Sequence, residues 1–410
     1  MSAGKSILFV TTINLAANPR CLKEIRAAIN AGYKVAVLKF DYNNWTNDYE
    51  ASIEKELTTV EWIKISGGRK PLLPWLTSTV VSFVSTKLLG NSSKNIKLIS
   101  YSLDKRSYLV YKRLKQLNPS YDIVIAHNPG AFWASYVYAA NNKIPFGIDI
   151  EDYHPGEYSN AKQMRYMKLL MDRILPTASY ITAASPLILK YSICDSTENY
   201  KVVNNVFSLQ QQPTFRNVPV ESKLKLFWFS QHIGLDRGLQ DVIAAMNLID
   251  SFSVNLTLVG NCSEEVNITL QNHLASSKHN IIFKHPVAEI ELIEEASNHH
   301  VGLALESGAN LNRNLCLTNK IFTYLLAGNA IVASDTDAQK DFAASNHETT
   351  TIYKVGDVQG LASILTSMYN NPTQLEQMRK AAYNAASSKY NWEAEQQIFL
   401  SLVNANLKRA

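Results

Sequence analysis

Short apolar runs recur along the chain, each followed by a polar loop and a stretch whose apolar positions fall three or four residues apart. The first run, residues 7–10, suits a strand covered on both faces, since such strands read as unbroken apolar runs. Asn18 and Pro19 then start a helix, with Asn as N-cap and Pro at the first helical position. Leu22, Ile25, Ala28 and Ile29 keep helical spacing, and Gly32 closes the helix. Residues 35–40 supply the next strand. This is a βαβ unit, the building block of a doubly wound parallel sheet.

The pattern continues with strands expected at 122–126, 146–150, 180–183 and 201–203. A polar stretch at 208–222, with two prolines and three consecutive glutamines, reads as a linker. A second alternating series follows, with strands at 224–229, 254–259, 281–283, 301–305 and 330–334. The expected organisation is therefore an α/β chain of two Rossmann-like domains. Residues 1–207 form an N-terminal domain and 223–385 a C-terminal one, with 386–410 a C-terminal helix that can pack back on the N-terminal domain. Sheets of this kind bind ligands beyond the carboxyl ends of their strands.

Composition agrees with this reading and removes others. The chain has 410 residues, 46% hydrophobic and 18% charged, which suits two folded cores and argues against disorder. Cys21, Cys194, Cys262 and Cys316 are scattered and form no metal-ligand spacing, as expected of a reducing, cytoplasmic compartment. The opening MSAGKSILFV lacks a signal-peptide layout, and no apolar run reaches the roughly 20 residues of a spanning helix. The loop after the first strand, Thr11-Thr12-Ile13-Asn14, is not GxGxxG, which weighs against a dinucleotide-dependent dehydrogenase. No Walker loop or nucleophile elbow is present, and nothing points to nucleic acid.

The net charge of +5 is uneven. Residues 64–117 hold eleven Lys and Arg against one acid, Asp104, so the remaining chain carries 29 basic and 34 acidic residues. A block this basic attracts phosphate-rich surfaces. Because Trp75, Leu72, Leu73, Leu76 and Phe83 are interspersed, an anionic membrane surface is the expected partner, giving a peripheral position on the inner face of the cell membrane.

Four places carry candidate chemistry. Thr318-Asn319-Lys320 opens a helix after a strand and a polar loop that begins at Glu306; Thr318 suits the N-cap, and free N–H groups with a positive dipole would hold a diphosphate. Arg237-Gly238 opens another helix, a second phosphate-binding arrangement. Glu151 and Asp152 gather at a strand end with His154 close behind. His127 stands at a neighbouring strand end. Asp335-Thr336-Asp337 imitates a DxD metal motif in the wrong architecture, and no metal or cofactor is expected.

The segment Thr318-Asn319-Lys320-Ile321-Phe322-Thr323-Tyr324-Leu325-Leu326-Ala327-Gly328, followed by Ile331-Val332-Ala333-Ser334-Asp335, is similar to the donor-site signature of family 4 glycosyltransferases. So are Asn18-Pro19-Arg20 through Val35 and the Gly234-Leu235-Asp236-Arg237-Gly238 block, in matching order along nearly the whole chain. The resemblance implies the GT-B fold: two facing Rossmann-like domains with a deep interdomain cleft. It implies sugar transfer from a nucleotide-diphosphate sugar to a glycan or lipid-linked acceptor in polysaccharide biosynthesis, with retained configuration and no metal. Arg237, Gly238, Glu306, Thr318, Asn319, Lys320 and Thr323 would bind the donor, and Glu151, Asp152 and His127 would serve catalysis. Many members carry two glutamates eight positions apart; here Leu315 and Thr323 stand there, and Glu306 lies out of register. Two alternatives stay open, a non-catalytic GT-B-like binding subunit and a GT-B nucleotide-sugar epimerase.

Overall fold

The computed structural model describes residues 4–409 except 43, 45, 91–92, 118–120 and 194–196, so Cys194 lies outside the described residues. The chain divides into two compact units, residues 1–203 with 396–410 and residues 204–395.

The first unit is built on seven strands: β1 (Ser6–Thr11), β2 (Lys34–Asp41), β3 (Glu61–Ser66), β4 (Ile123–His127), β5 (Phe146–Ile150), β6 (Tyr180–Ala183) and β7 (Tyr200–Val202). Their order is β3-β2-β1-β4-β5-β6-β7, all parallel. β1, β4 and β5 are buried along nearly their whole length, which suits the apolar runs of β1 and β4, while β5 also encloses Asp149. The strand order reverses between β1 and β4, where Thr11 pairs with His127. That reversal is a topological switch point, the place where such sheets bind ligands. Helix Pro19–Asn30 starts as expected: Asn18 Oδ1 accepts from the Cys21 N–H at 3.0 Å. Gly32 follows the helix with φ of 84°, a left-handed turn that glycine adopts without strain. Phe399 of helix Trp392–Arg409 packs 6.4 Å from the Phe9 ring, and Tyr33 donates to Asn404 at 2.5 Å.

The second unit has six parallel strands: β8 (Lys223–His232), β9 (Ser253–Asn261), β10 (Asn280–Lys284), β11 (Val301–Ala304), β12 (Ala330–Ser334) and β13 (Thr350–Tyr353). Their order is β10-β9-β8-β11-β12-β13, and the switch point lies between β8 and β11. Leu226, Trp228, Leu256, Leu258, Leu303 and Val332 centre the core.

Two strands were not expected, β3 and β13. Both are sheet edges, and an edge strand needs no continuous apolar run: β3 buries only Ile63 fully and β13 is rich in threonine. Residues 208–222 are folded against the second unit. The Phe215 ring meets Tyr383 at 5.3 Å, Arg216 pairs with Glu294, and Arg379 Nη2 donates to the Arg216 carbonyl at 2.9 Å. Thr318, expected to cap helix Asn319–Ala327, makes no cap hydrogen bond.

Candidate functional site

In the second unit, three cations gather at the switch point. The tight turn Leu235–Arg237 is followed by Gly238 at φ of 76°, where helix Leu239–Asn247 begins. A left-handed residue is needed there, and a Cβ at Gly238 would touch Leu305 at 3.4 Å. Arg237 Nε and Arg313 Nη1 lie 3.7 and 3.8 Å from the two oxygens of Asp236, so both guanidinium groups bracket one carboxylate. Lys320 comes from the first turn of helix Asn319–Ala327. Its Nζ stands 3.3 Å from Glu306 Oε1 and 5.7 Å from the centre of the Trp228 ring. The Glu306 N–H donates to Ser334 Oγ at 2.7 Å, which ties that strand end to β12.

Electrostatics show how crowded this positive site is. Burial lowers the pKa of Lys320 below the lysine norm, Glu306 resists the change, and Arg237 and Arg313 push further down. The Thr318 hydroxyl is buried without a hydrogen-bond partner among the described residues, at the uncapped start of the same helix. Together these features favour an anion. Arg313 was missed in the sequence. It is the only cation between Glu306 and Thr318, which is the signal that was there to be read. Thr323 is fully buried, and its hydroxyl donates to the Asn319 carbonyl at 3.1 Å inside the helix.

In the first unit, the switch point holds a buried charge network. Arg20 grips Asp149 with two hydrogen bonds of 2.6 Å, and Thr182 also donates to that carboxylate. Burial opposes the charge on Arg20, yet Asp149 outweighs it and holds the pKa above the usual value; burial likewise works against ionised Asp149, and Arg20 keeps its pKa low. His127 is wholly buried, with Nε2 3.1 Å from Glu24 Oε2 and Nδ1 3.4 Å from Glu151 Oε1. Burial disfavours the imidazolium, but Cys21, Glu24 and Glu151 outweigh it and raise its pKa well above normal. Carboxyl groups at both ring nitrogens favour the doubly protonated imidazole, while burial raises the pKa of Glu24 itself and His127 and Arg20 oppose that rise.

Glu151 and Asp152 line a cavity of about 390 Å³ together with Asn128, Asp104, Arg106 and His154. The turn His154–Glu157 folds back to bring His154 there, with Nδ1 donating to Glu157 at 2.9 Å and Nε2 buried without a partner among the described residues. His127 is not on the cavity wall. It meets Glu151, which is on that wall, at 3.4 Å. Asn128 adopts φ of 70° and ψ of 141°, a strained conformation for a residue with a side chain, and accepts from Thr11 at 2.6 Å.

Two other acidic groups resemble ion sites. Glu24, His127 and Asp149 belong to the network just described, which already contains Arg20. Asp41, Glu50 and Glu54 converge on Lys39, whose ammonium lies 3.0 Å from Asp41 and 2.7 Å from Glu54. In both, a protein cation supplies the compensating charge. Asp337 of the DxD imitation is bound by Lys340 and Asn314, and Asp335 accepts from the Val355 N–H.

No family model matches the sequence, and no curated protein matches it. Solved structures do. Anabaena Alr3699/HepE, crystallised in complex with UDP, is 15% identical, with 98% of this chain and 100% of that one covered and a TM-score of 0.65. A glycosyltransferase from Rickettsia africae is 12% identical, with 99% of each chain covered and a TM-score of 0.66. A candidate UDP-N-acetylglucosamine 2-epimerase from Listeria monocytogenes is 10% identical, with 99% and 98% covered and a TM-score of 0.60. At such identities the likeness is one of fold, and the fold is GT-B.

Proposed function

We propose that this chain is a glycosyltransferase that moves a sugar from a nucleoside-diphosphate sugar onto a hydroxyl of a glycan or lipid-linked acceptor. The observation that carries this reading is the convergence of Arg237, Arg313 and Lys320 on an uncapped helix start, within a GT-B chain. A diphosphate is the anion whose charge matches three cations and a helix dipole. During transfer the bond from the anomeric carbon to the diphosphate breaks and its electron pair stays on the leaving oxygen. The acceptor oxygen forms the new bond, and its proton passes to the departing phosphate. The cations offset the growing negative charge, which supports catalysis without a metal.

Retention of configuration follows from the resemblance to family 4, with the acceptor entering on the face the diphosphate leaves. Glu151, Asp152 and His154 offer the polar wall that sugar hydroxyls need, and the imidazolium of His127 holds Glu151 in place. Arg237, Gly238, Asn319 and Lys320 take the diphosphate, and Glu306 opposes the loss of charge on Lys320 that burial favours. Cys21 and Cys262 form no disulfide among the described residues, which favours a reducing, cytoplasmic setting.

The test is a thermal-shift screen of nucleoside diphosphates and their sugars, followed by a transfer assay. A ligand at 100 times its dissociation constant stabilises by about 2.7 kcal/mol, well within reach of the method. No shift with any nucleotide would overturn the proposal. A shift without turnover would favour a binding subunit, and donor conversion without acceptor would favour an epimerase.

A further inference from the structure

Helix Leu72–Leu88 has its polarity reversed relative to an ordinary surface helix. The residues it buries are Ser78 and Ser85, at 1% and 2% exposure, while Leu73, Phe83 and Leu88 stand 70%, 62% and 65% exposed. At 3.6 residues per turn, Leu72, Leu73, Leu76, Val80, Phe83 and Val84 fall within an arc of roughly 120°, with the two serines on the far side. The helix packs against helices Ile96–Leu103 and Arg106–Leu114. Its serine face therefore anchors it and its apolar face points to the surroundings. A contiguous exposed apolar face of this size marks a docking surface.

The charges around that face say what docks. Arg69 and Lys105 stand over the Trp75 ring at 5.7 and 5.2 Å, and Lys87 over Phe83 at 5.5 Å. Arg69, Lys70, Lys87, Lys94 and Lys97 are exposed and form no ion pair among the described residues. The single acid of the block, Asp104, is taken by Arg106, which also donates to the Thr12 carbonyl and to Tyr42 in the interior. Arg106 thus drops out of the basic surface, as does Lys64, which pairs with Glu54, while the five cations just named stay uncompensated among the described residues. An apolar face rimmed by free cations complements acyl chains beneath phosphate headgroups. No helix among the described residues is long and apolar enough to cross a membrane, so the fitting geometry lies in the plane of the surface.

We propose that helix Leu72–Leu88 lies in the headgroup layer of an anionic bilayer, with Leu72, Leu73, Leu76, Val80 and Phe83 toward the acyl chains and Arg69, Lys70, Lys87, Lys94 and Lys97 on lipid phosphates. This docking is independent of the sugar chemistry and needs no donor, so its test and the nucleotide screen fail separately.

The experiment is co-sedimentation of the full chain with vesicles of phosphatidylcholine alone or mixed with phosphatidylglycerol. Binding is expected only to the mixed vesicles, falling as salt is added. The double variant Leu73→Glu/Phe83→Glu should melt like the parent and bind at least roughly tenfold more weakly, because it puts anions into the docking face. Lys87→Gln/Lys94→Gln/Lys97→Gln should weaken binding and flatten its salt dependence. As a readout on the parent protein, lipids brominated in their acyl chains should quench fluorescence that Trp75→Phe removes. Equal binding to neutral and anionic vesicles, or no quenching from Trp75, overturns the proposal. A parent dimer that Leu73→Glu/Phe83→Glu dissociates, with no vesicle binding, would give the face to a second copy of the chain and equally overturn it.

Discussion

Lys320 Nζ lies 3.3 Å from Glu306 Oε1, and both side chains are almost wholly enclosed. This pair sits beside two guanidinium groups, and burial together with Arg237 and Arg313 keeps the Lys320 pKa below the lysine norm. A bound diphosphate adds negative charge and raises that pKa again, so binding takes up protons wherever free Lys320 is partly neutral. Affinity for a nucleoside diphosphate should be flat at low pH and fall as pH rises through the free Lys320 pKa. Calorimetry in alkaline buffers of different ionisation heat should reveal proton uptake, and Lys320→Met should abolish it. Affinity that stays constant through the alkaline range would show that Lys320 does not meet the ligand.

Removing one partner of the pair should also harm the fold. Lys320→Met leaves the Glu306 carboxylate buried and alone, at a cost of about 3–5 kcal/mol for a pair of this kind. Adding Glu306→Gln should restore much of the melting temperature without restoring nucleotide affinity. Recovery of both would mean that the cation matters only for stability.

Arg237→Ala and Arg313→Ala should each weaken nucleotide binding about tenfold or more, since a hydrogen bond to a charged group is worth about 1.5–3 kcal/mol. Both side chains are partly exposed, so the melting temperature should barely move. Because the two share Asp236, the double variant should depart from additivity. Titration calorimetry with UDP and GDP decides the matter.

Glu151→Gln should slow transfer far more than it changes nucleotide affinity. It keeps the size of a group on the cavity wall while removing the charge that faces His127. Steady-state kinetics that show equal losses in both quantities would remove Glu151 from the reacting end of the substrate.

His127 predicts a pH dependence of stability. Its folded pKa is raised, so the stability it contributes is present in full below the unfolded value, about 6.5, and is lost as pH rises through the folded value. Urea unfolding of the parent and His127→Gln should therefore differ most below neutrality and converge at alkaline pH. A gap that widens with pH would contradict the charged ring between Glu24 and Glu151.

The sequence by itself determined the parts of the fold that rest on local rules. Unbroken apolar runs marked β1, β4 and β12 because a strand covered on both faces is apolar along most of its length. Asn18 with Pro19, and Gly32, marked helix ends because capping and left-handed turns depend on single residues. Arg237 and Lys320 were legible because a cation at a helix start has a meaning without tertiary context.

What only the tertiary structure decided are relations between distant residues. His127 meets Glu24, 103 positions earlier, and Arg313 stands with Arg237 across one carboxylate, because parallel strand order carries separate loops to one sheet end. The outward apolar face of helix Leu72–Leu88 was decided in the same way. Its composition allowed a core helix as readily as an exposed one, and the choice fell to Ser78 and Ser85, whose small side chains take the packed face and leave the leucines outside.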